Sequence, residues 1–396
     1  MYSIDMTLHK ILTRDFILCF FAQFALSSVF HTLLPTFPIY LSGLGSTKVE
    51  IGILIGVLSV SSLILRPVVG RALIKIPEKK FMIGGTILFA FTSIAYLFSP
   101  PFWPLFIVRI FQGIGSAFFL TASITFVANI TPKAYRGQSI GYFFLTFNIS
   151  LALAPSFGML IINHFSFNIL FLVCMAISLC SFFFASKLRG TAVNPIGELS
   201  TADNFFSSFK AFPPTFMYFL AHMIWGALTA FFPLHAINQG VTNPGLFFAA
   251  YAIVLISGRA LGGRILDVYS RKKIILPCLT TSVISMTILA FSRTLEMFIL
   301  VAVISAIGHA FLIPSLVAYT LDLIGSSRGP AMGLLTAMGD LGMGLGPIIM
   351  GIILGSTNFT TMFLCLALTG FINFIYFCFL MKKRKINLLV FANIYS

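Results

Sequence analysis

RPVVGRALIKIPEKK, residues 66–80, comes back as RALGGRILDVYSRKK, residues 259–273. Arg66 falls on Arg259, Gly70 on Gly263, and Lys79 and Lys80 on Lys272 and Lys273, every pair 193 residues apart. A single offset held over so long a stretch marks a duplicated unit. In each copy a short polar turn joins two long apolar runs, so both halves of the chain carry the same hairpin at the same place.

The repeat extends outward from that hairpin. LFIVRIFQGIGSAFF, residues 105–119, lies against FILVAVISAIGHAFL, residues 298–312, with Gly115 on Gly308 and Phe118 on Phe311. At an offset of 192, residues 135–158 lie against residues 327–350: Arg136 meets Arg328, Gly141 meets Gly333, Asn148 meets Asp340 and Pro155 meets Pro347. Two halves in parallel repeat are implied.

Hydrophobic residues make up 58% of the chain and charged residues 9%, with a mean hydropathy of +1.02. Soluble domains carry about 25% charged residues, so this is the composition of a polytopic membrane protein. A net charge of +15 would point to nucleic acid in a soluble chain. Here the basic residues sit in turns between apolar runs, and no nucleic-acid partner is implied. The six cysteines lie inside apolar runs with no close-spaced CxxC pair, which indicates neither a disulfide framework nor a metal site. The start, MYSIDMTLHKILTRD, leads into an apolar run longer than a signal peptide, read as a retained first span.

A helix needs about 20 apolar residues to cross the hydrocarbon, with its backbone paired internally. Twelve segments qualify: 16–41, 50–73, 81–99, 102–130, 138–163, 167–186, 213–237, 245–266, 274–291, 295–324, 329–354 and 360–381. One set of turns and tails holds Lys10, Arg14, Lys75, Lys79, Lys80, Lys133, Arg136, Lys187, Arg189, Lys210, Arg264, Arg271, Lys272, Lys273, Arg328 and the run Lys382 to Lys385. The other set holds only Lys48 and Arg293. This asymmetry predicts both termini in the cytoplasm; the expected location is a plasma membrane, the inner membrane in a bacterium. The expected division is a first six-helix bundle over 1–186, a cytoplasmic linker over 187–212 and a second bundle over 213–396. Within the linker, 204–212 reads either as flexible tether or as a short amphipathic surface helix.

With these residues in place, the chain resembles the major facilitator superfamily over nearly its whole length. The fourth-span pattern RxxQGxG stands as Arg109, Gln112, Gly113 and Gly115. The loop pattern GxLaDrxGRkk is degenerate in the first half, where Gly70, Lys79 and Lys80 remain but Ile74 replaces the acid and Pro77 the glycine. It is fuller in the second half, with Gly263, Asp267, Arg271, Lys272 and Lys273, although Ser270 replaces the glycine. Of the fifth-span antiporter pattern only Ala154, Pro155 and Gly158 survive, while Gly342, Gly346 and Pro347 reproduce GxxxGP in the eleventh span. The resemblance implies an all-α membrane fold of twelve spans in two pseudo-symmetric six-helix bundles, a monomer, and alternating access about a central site. The fourth-span pattern is similar to that of drug and metabolite exporters. No cofactor is implied, and the absence of a Walker loop or a catalytic constellation speaks against an ATP-driven pump or an enzyme.

Candidate roles follow from where polar groups fall. Arg109 lies inside an apolar run, where an unpaired charge costs several kcal/mol; it reads either as a cavity charge for protons or an anionic group, or as a pin satisfied by backbone carbonyls. Asp340 lies deep in the eleventh span and is the leading protonatable group. The resemblance packs the second span on the eleventh and the fifth on the eighth, which pairs Arg66 with Asp340 and Arg259 with Asn148; alternatively both arginines snorkel to headgroups. His31, His222 and His309 fall on spans that the resemblance makes central, either as proton carriers or as hydrogen-bonded packing residues. In the basic turns, Asp267 and Arg271 suit a gating latch or serve topology alone. The eleventh-span glycines permit close helix approach and bending near Pro347. The expected activity is secondary transport of a small organic solute, anionic or zwitterionic, by proton-coupled efflux. Metabolite uptake, lipid flipping and a non-transporting sensor or scaffold are the alternatives.

Overall fold

The computed structural model describes residues 11–190, 204–324 and 328–394; the side chains at 133, 204–210, 261, 263–267, 272, 324, 328–331 and 383–394 lie outside that description. Among the described residues twelve long helices follow one another: α1 (Arg14–Gly43), α2 (Lys48–Ala72), α3 (Glu78–Phe98), α4 (Trp103–Ile130), α5 (Arg136–His164), α6 (Phe167–Ser186), α7 (Asn204–Asn238), α8 (Gly245–Val268), α9 (Arg271–Phe291), α10 (Leu295–Ile324), α11 (Arg328–Ser356) and α12 (Phe359–Ile394). Eleven are long and apolar enough to cross a membrane, and α8 contributes a shorter apolar stretch over Gly245–Ala260.

Each predicted segment falls on one helix, and two helices outrun their segments. Helix α7 begins at Asn204, well ahead of the expected start at residue 213, so the end of the linker is helical and runs straight into the span. Residues 191–203 of the linker lie outside the described residues. Helix α12 continues past residue 381 through the basic cluster to Ile394. In α12 the reason is the basic cluster and the leucines after it: hydropathy sees only the apolar core of a helix, whereas lysine, arginine and leucine are good helix formers that let the turn-by-turn pairing continue beyond it.

The ends of the helices are written locally. Thr13 accepts from the Phe16 amide at 3.2 Å, Thr47 and Glu50 form a reciprocal capping box, and Ser166 accepts from Ile169. Helices α1 and α7 stop in the same way. Gly45 and Gly240 take φ of +81° and +83°, and the following amides, on Ser46 and Val241, return to the carbonyls of Leu41 and Ala236. That reversal needs a left-handed residue, which glycine adopts without a Cβ penalty. The duplication thus extends to helix ends that sequence alignment had not joined.

The chain clusters into two compact units, one of residues 1–199 with 229–252, the other of residues 200–228 with 253–396. In the first, α1 packs on α5 and α6, α2 on α4, and α3 on α4 and α6; in the second, α9 packs on α10 and α12, the repeat of the α3 contacts. Phe37, Phe89, Phe126 and Phe143 fill the interior of the first unit. Others turn outward: Phe98 is 79% exposed, Leu153 60% and Phe183 56%. So much exposed apolar surface would aggregate in water and is what a lipid-facing belt requires.

Candidate functional site

The fourth-span pattern builds its own site. In α4, Gly113 brings the helix so near α2 that a Cβ there would overlap Ser61 Oγ and the Leu58 carbonyl. Gly115 does the same toward α3, where a Cβ would stand 3.0 Å from Leu88 Cβ and 3.1 Å from the Gly85 carbonyl. One helix is thereby held on two neighbours, and the polar members of the pattern reach both. Arg109 donates from Nε to the Leu54 carbonyl at 2.8 Å and from Nη2 to the Ile55 carbonyl at 3.4 Å, both on α2. Its Nη1 donates to Gln112 Oε1 at 2.7 Å, and the same oxygen accepts from the Tyr96 hydroxyl of α3 at 2.6 Å. The guanidinium stands 4.6 Å over the Phe37 ring of α1.

Two features of this cluster matter chemically. Arg109 is 6% exposed, and the acceptors that answer its charge are two backbone carbonyls and an amide, all neutral. Gln112 is fully buried, and its Nε2 has no hydrogen-bond partner. A buried cation answered by dipoles, beside an unsatisfied N–H donor, favours a negative group. The Leu54 and Ile55 carbonyls are acceptors of the kind that the alternative reading of Arg109, a pin between helices, calls for. Sequence reasoning passed over Tyr96, whose hydroxyl orients Gln112; its signal was a lone tyrosine in an apolar run.

A second polar seam joins α1 to α5. His31 Nδ1 lies 2.8 Å from Ser150 Oγ, and its ring meets Phe30 and Phe147 edge-on. A Cβ on Gly158 would stand 3.0 Å from the Thr32 carbonyl, so this glycine serves close packing. Pro155 lies within α5, one residue past Ala154, whose carbonyl accepts from Thr32 Oγ1 at 3.5 Å. Asn148 is buried on the same helix. Farther along α1, Gln23 donates to Ser27 at 2.7 Å and accepts from Ser123 of α4 at 3.2 Å, a link absent from the sequence reading because serine and glutamine carry no periodic signal.

In the second unit the structure brings together two of the three candidate histidines. His222 bonds through Nδ1 to the Tyr218 carbonyl at 2.9 Å and stacks on the Tyr218 ring at 4.0 Å. His309 of α10 meets it at 6.3 Å between centroids and meets Trp225 at 5.8 Å. Gly339, beside Asp340 on α11, packs against the rings of Tyr218 and His222. Helices α7 and α11 are in backbone contact, since a Cβ on Gly342 or Gly346 would fall on the carbonyl of Phe219 or Met223. Pro347 follows within the same helix. His31 belongs to the first unit and this pair to the second.

Arg66 belongs to the first unit and Asp340 to the second, as do Asn148 and Arg259 respectively. Around the basic turns, Gly70 is exposed with nothing near its Cβ position, Lys80 is exposed, and Lys79 Nζ donates to the Leu188 carbonyl at 2.8 Å. Arg271 Nε lies 3.3 Å from Asp322 Oδ2. The side-chain surroundings of Gly263, Asp267 and Lys272 lie outside the described residues.

Comparison with known proteins draws on the whole chain. A family model described as the Major Facilitator Superfamily matches residues 19–242 and again 214–389. The chain is 24% identical over 364 residues to the staphylopine export protein of Staphylococcus aureus, covering 88% of this chain and 89% of that one. It is 21% identical over 336 residues to the quinolone resistance protein NorA of Staphylococcus aureus, covering 81% and 84%. Among solved structures, the nucleoside transporter NupG superposes with a TM-score of 0.75 at 16% identity, covering 92% of this chain and 99% of that one. A POT family transporter bound to a thioalcohol conjugated peptide superposes at 0.77 and 13%, covering 93% and 96%.

Proposed function

Because the chain belongs to the major facilitator superfamily and is a membrane transporter, not an enzyme, we propose that it exports a small anionic or zwitterionic organic solute in exchange for protons. The observation that carries this reading is Arg109, a buried guanidinium answered by neutral acceptors, with the unsatisfied amide of Gln112 beside it. A carboxylate is the group that such a pair of donors would hold in a bidentate manner. The direction follows the relatives whose names describe export and drug resistance.

Coupling is assigned to Asp340, with His222 and His309 as neighbouring proton acceptors and His31 as a separate one in the first unit. Arg66 would answer Asp340 in one state of the cycle, and Arg259 would face the neutral Asn148 in the other half. Each six-helix bundle, 1–186 and 213–396, would rock as a body about a midplane site, joined by the linker at 187–212, with the termini cytoplasmic. The gating turns would be those of Gly70, Lys79 and Lys80 and of Gly263, Asp267, Arg271 and Lys272.

The test is proton movement in sealed proteoliposomes holding a pH dye, with organic anions, zwitterions and cationic drugs offered in turn. Anions or zwitterions are expected to drive proton movement in the wild type. Asp340→Asn is expected to abolish that movement while saturable solute exchange survives, since an amide keeps the shape but carries no proton. Solute flux without proton movement in the wild type overturns the coupling, and preference for cationic drugs overturns the substrate class.

A further inference from the structure

The repeat that opened the sequence also relates two polar ties, of whose four residues the motifs contain Arg271 alone. Glu78 begins α3 and Asn129 lies one residue before the end of α4; Asn129 Nδ2 donates to Glu78 Oε1 at 2.6 Å, with Glu78 only 6% exposed. Arg271 and Asp322 lie 193 residues further on, at the start of α9 and near the end of α10, and their side chains meet at 3.3 Å. The same two helix ends are joined in each half, and the polarity is exchanged: the acceptor sits on the hairpin helix in the first half and on the partner helix in the second. Neither α3 nor α9 has a side-chain cap at its own start, where Pro77 and Ser270 stand.

We infer that Glu78 and Asn129 are a positioning pair for transport, the first half's charge-exchanged counterpart of Arg271 and Asp322. The reasoning rests on the transporter reading above. A half that rocks as a body must carry its hairpin with it, and α4 is the helix that carries Arg109 and Gln112. Close packing of α3 on α4 at Gly85, where a Cβ would stand 2.8 Å from the Gly115 carbonyl, fixes the middle of this helix pair. The Glu78–Asn129 bond fixes its end. An amide-to-carboxylate bond is charge-assisted, short and directional, and either single change at this pair replaces it with a contact of the wrong sign beside the buried Glu78.

The exchange itself supplies the test, because the second half's pair can be transplanted into the first. In full-length protein, Glu78→Arg alone places a cation against an amide, and Asn129→Asp alone places two carboxylates together. Hydrogen–deuterium exchange over residues 70–85 is expected to quicken about tenfold in each single variant and to return to within about threefold of wild type in E78R/N129D, the recovery that a direct pair gives in a double-mutant cycle. Norfloxacin flux in proteoliposomes is expected to follow, with maximal rate reduced and KM unchanged in the singles, and with rate restored in the double. Glu78→Gln, which keeps an acceptor of the same shape, is expected to lie between wild type and Glu78→Arg and serves where a charged variant fails to fold. A double variant no better than the worse single overturns the pair. Exchange restored without flux overturns its role in transport and leaves a structural tie. If the wild type moves no norfloxacin, that substrate is wrong; proton flux with the organic anions and zwitterions then replaces it, and the exchange arm decides the pair independently.

Discussion

Arg109→Ala is expected to reduce solute flux by about a hundredfold, equivalent to ~2.7 kcal/mol of lost stabilisation. The substitution removes three donor contacts and the cation over Phe37, and strands Gln112 with Tyr96 as its remaining partner. Arg109→Lys is expected to fail nearly as badly. An ammonium on a flexible stem cannot reach Leu54, Ile55 and Gln112 with the fixed fork that a guanidinium presents. Two measurements separate the pinning role from a ligand role. If Arg109 only holds α4 to α2, the detergent-solubilised variant melts lower and any residual affinity is unchanged for every solute. If it also meets the solute, affinity for anions falls far more than affinity for cations, and Gln112→Leu, which removes the unsatisfied amide and also the acceptor of Arg109 and Tyr96, reproduces that selectivity loss on top of a lowered melting temperature. Equal loss for all solutes would remove the anion assignment.

How much of this was legible beforehand depends on the kind of signal. Spans were legible because length and hydropathy are properties of consecutive residues; of the two helices that outran expectation, α12 did so where basic residues continue a helix beyond the apolar window, and α7 where its helix starts within the linker at Asn204. Arg109 and Gln112 were legible because a charge in an apolar run is expensive and conspicuous. Their acceptors were not, since Leu54 and Ile55 take part through backbone oxygens that any residue would offer. The Glu78–Asn129 tie was hidden for a different reason. The repeat places residue 78 on 271 and 129 on 322, but each position changes charge between halves, and an alignment that scores identity discards both. Gln23, Ser27 and Ser123 escaped because small polar residues in membrane helices commonly bond to their own helix, as Thr36 does to Thr32, and a cross-helix bond looks no different in sequence.

Gly346→Leu is expected to leave almost no folded protein. Helices α7 and α11 touch through backbone over two turns: Gly226 sits where a Cβ would stand 2.7 Å from the Met343 carbonyl, and the positions of Gly342 and Gly346 are filled by carbonyls of Phe219 and Met223. A clash with the end of a flexible side chain is relieved by a rotamer change. A clash with a carbonyl is relieved only by moving a helix, which here would also shift Tyr218 and His222 away from His309. Overpacking of this kind costs about 1–3 kcal/mol where the surroundings can yield, and more where they cannot. Gly346→Ala therefore belongs at the lower end, visible as a reduced melting temperature, and Gly346→Leu beyond what the unit withstands. The contrast is Gly70→Ala. That glycine belongs to the hairpin pattern and has nothing within 4 Å of its Cβ position, so packing gives no reason for melting to change. A transport defect in Gly70→Ala with unchanged melting would mean that the hairpin glycine serves a second conformation of the turn; a melting loss matching that of Gly346→Ala would contradict the open surroundings of Gly70.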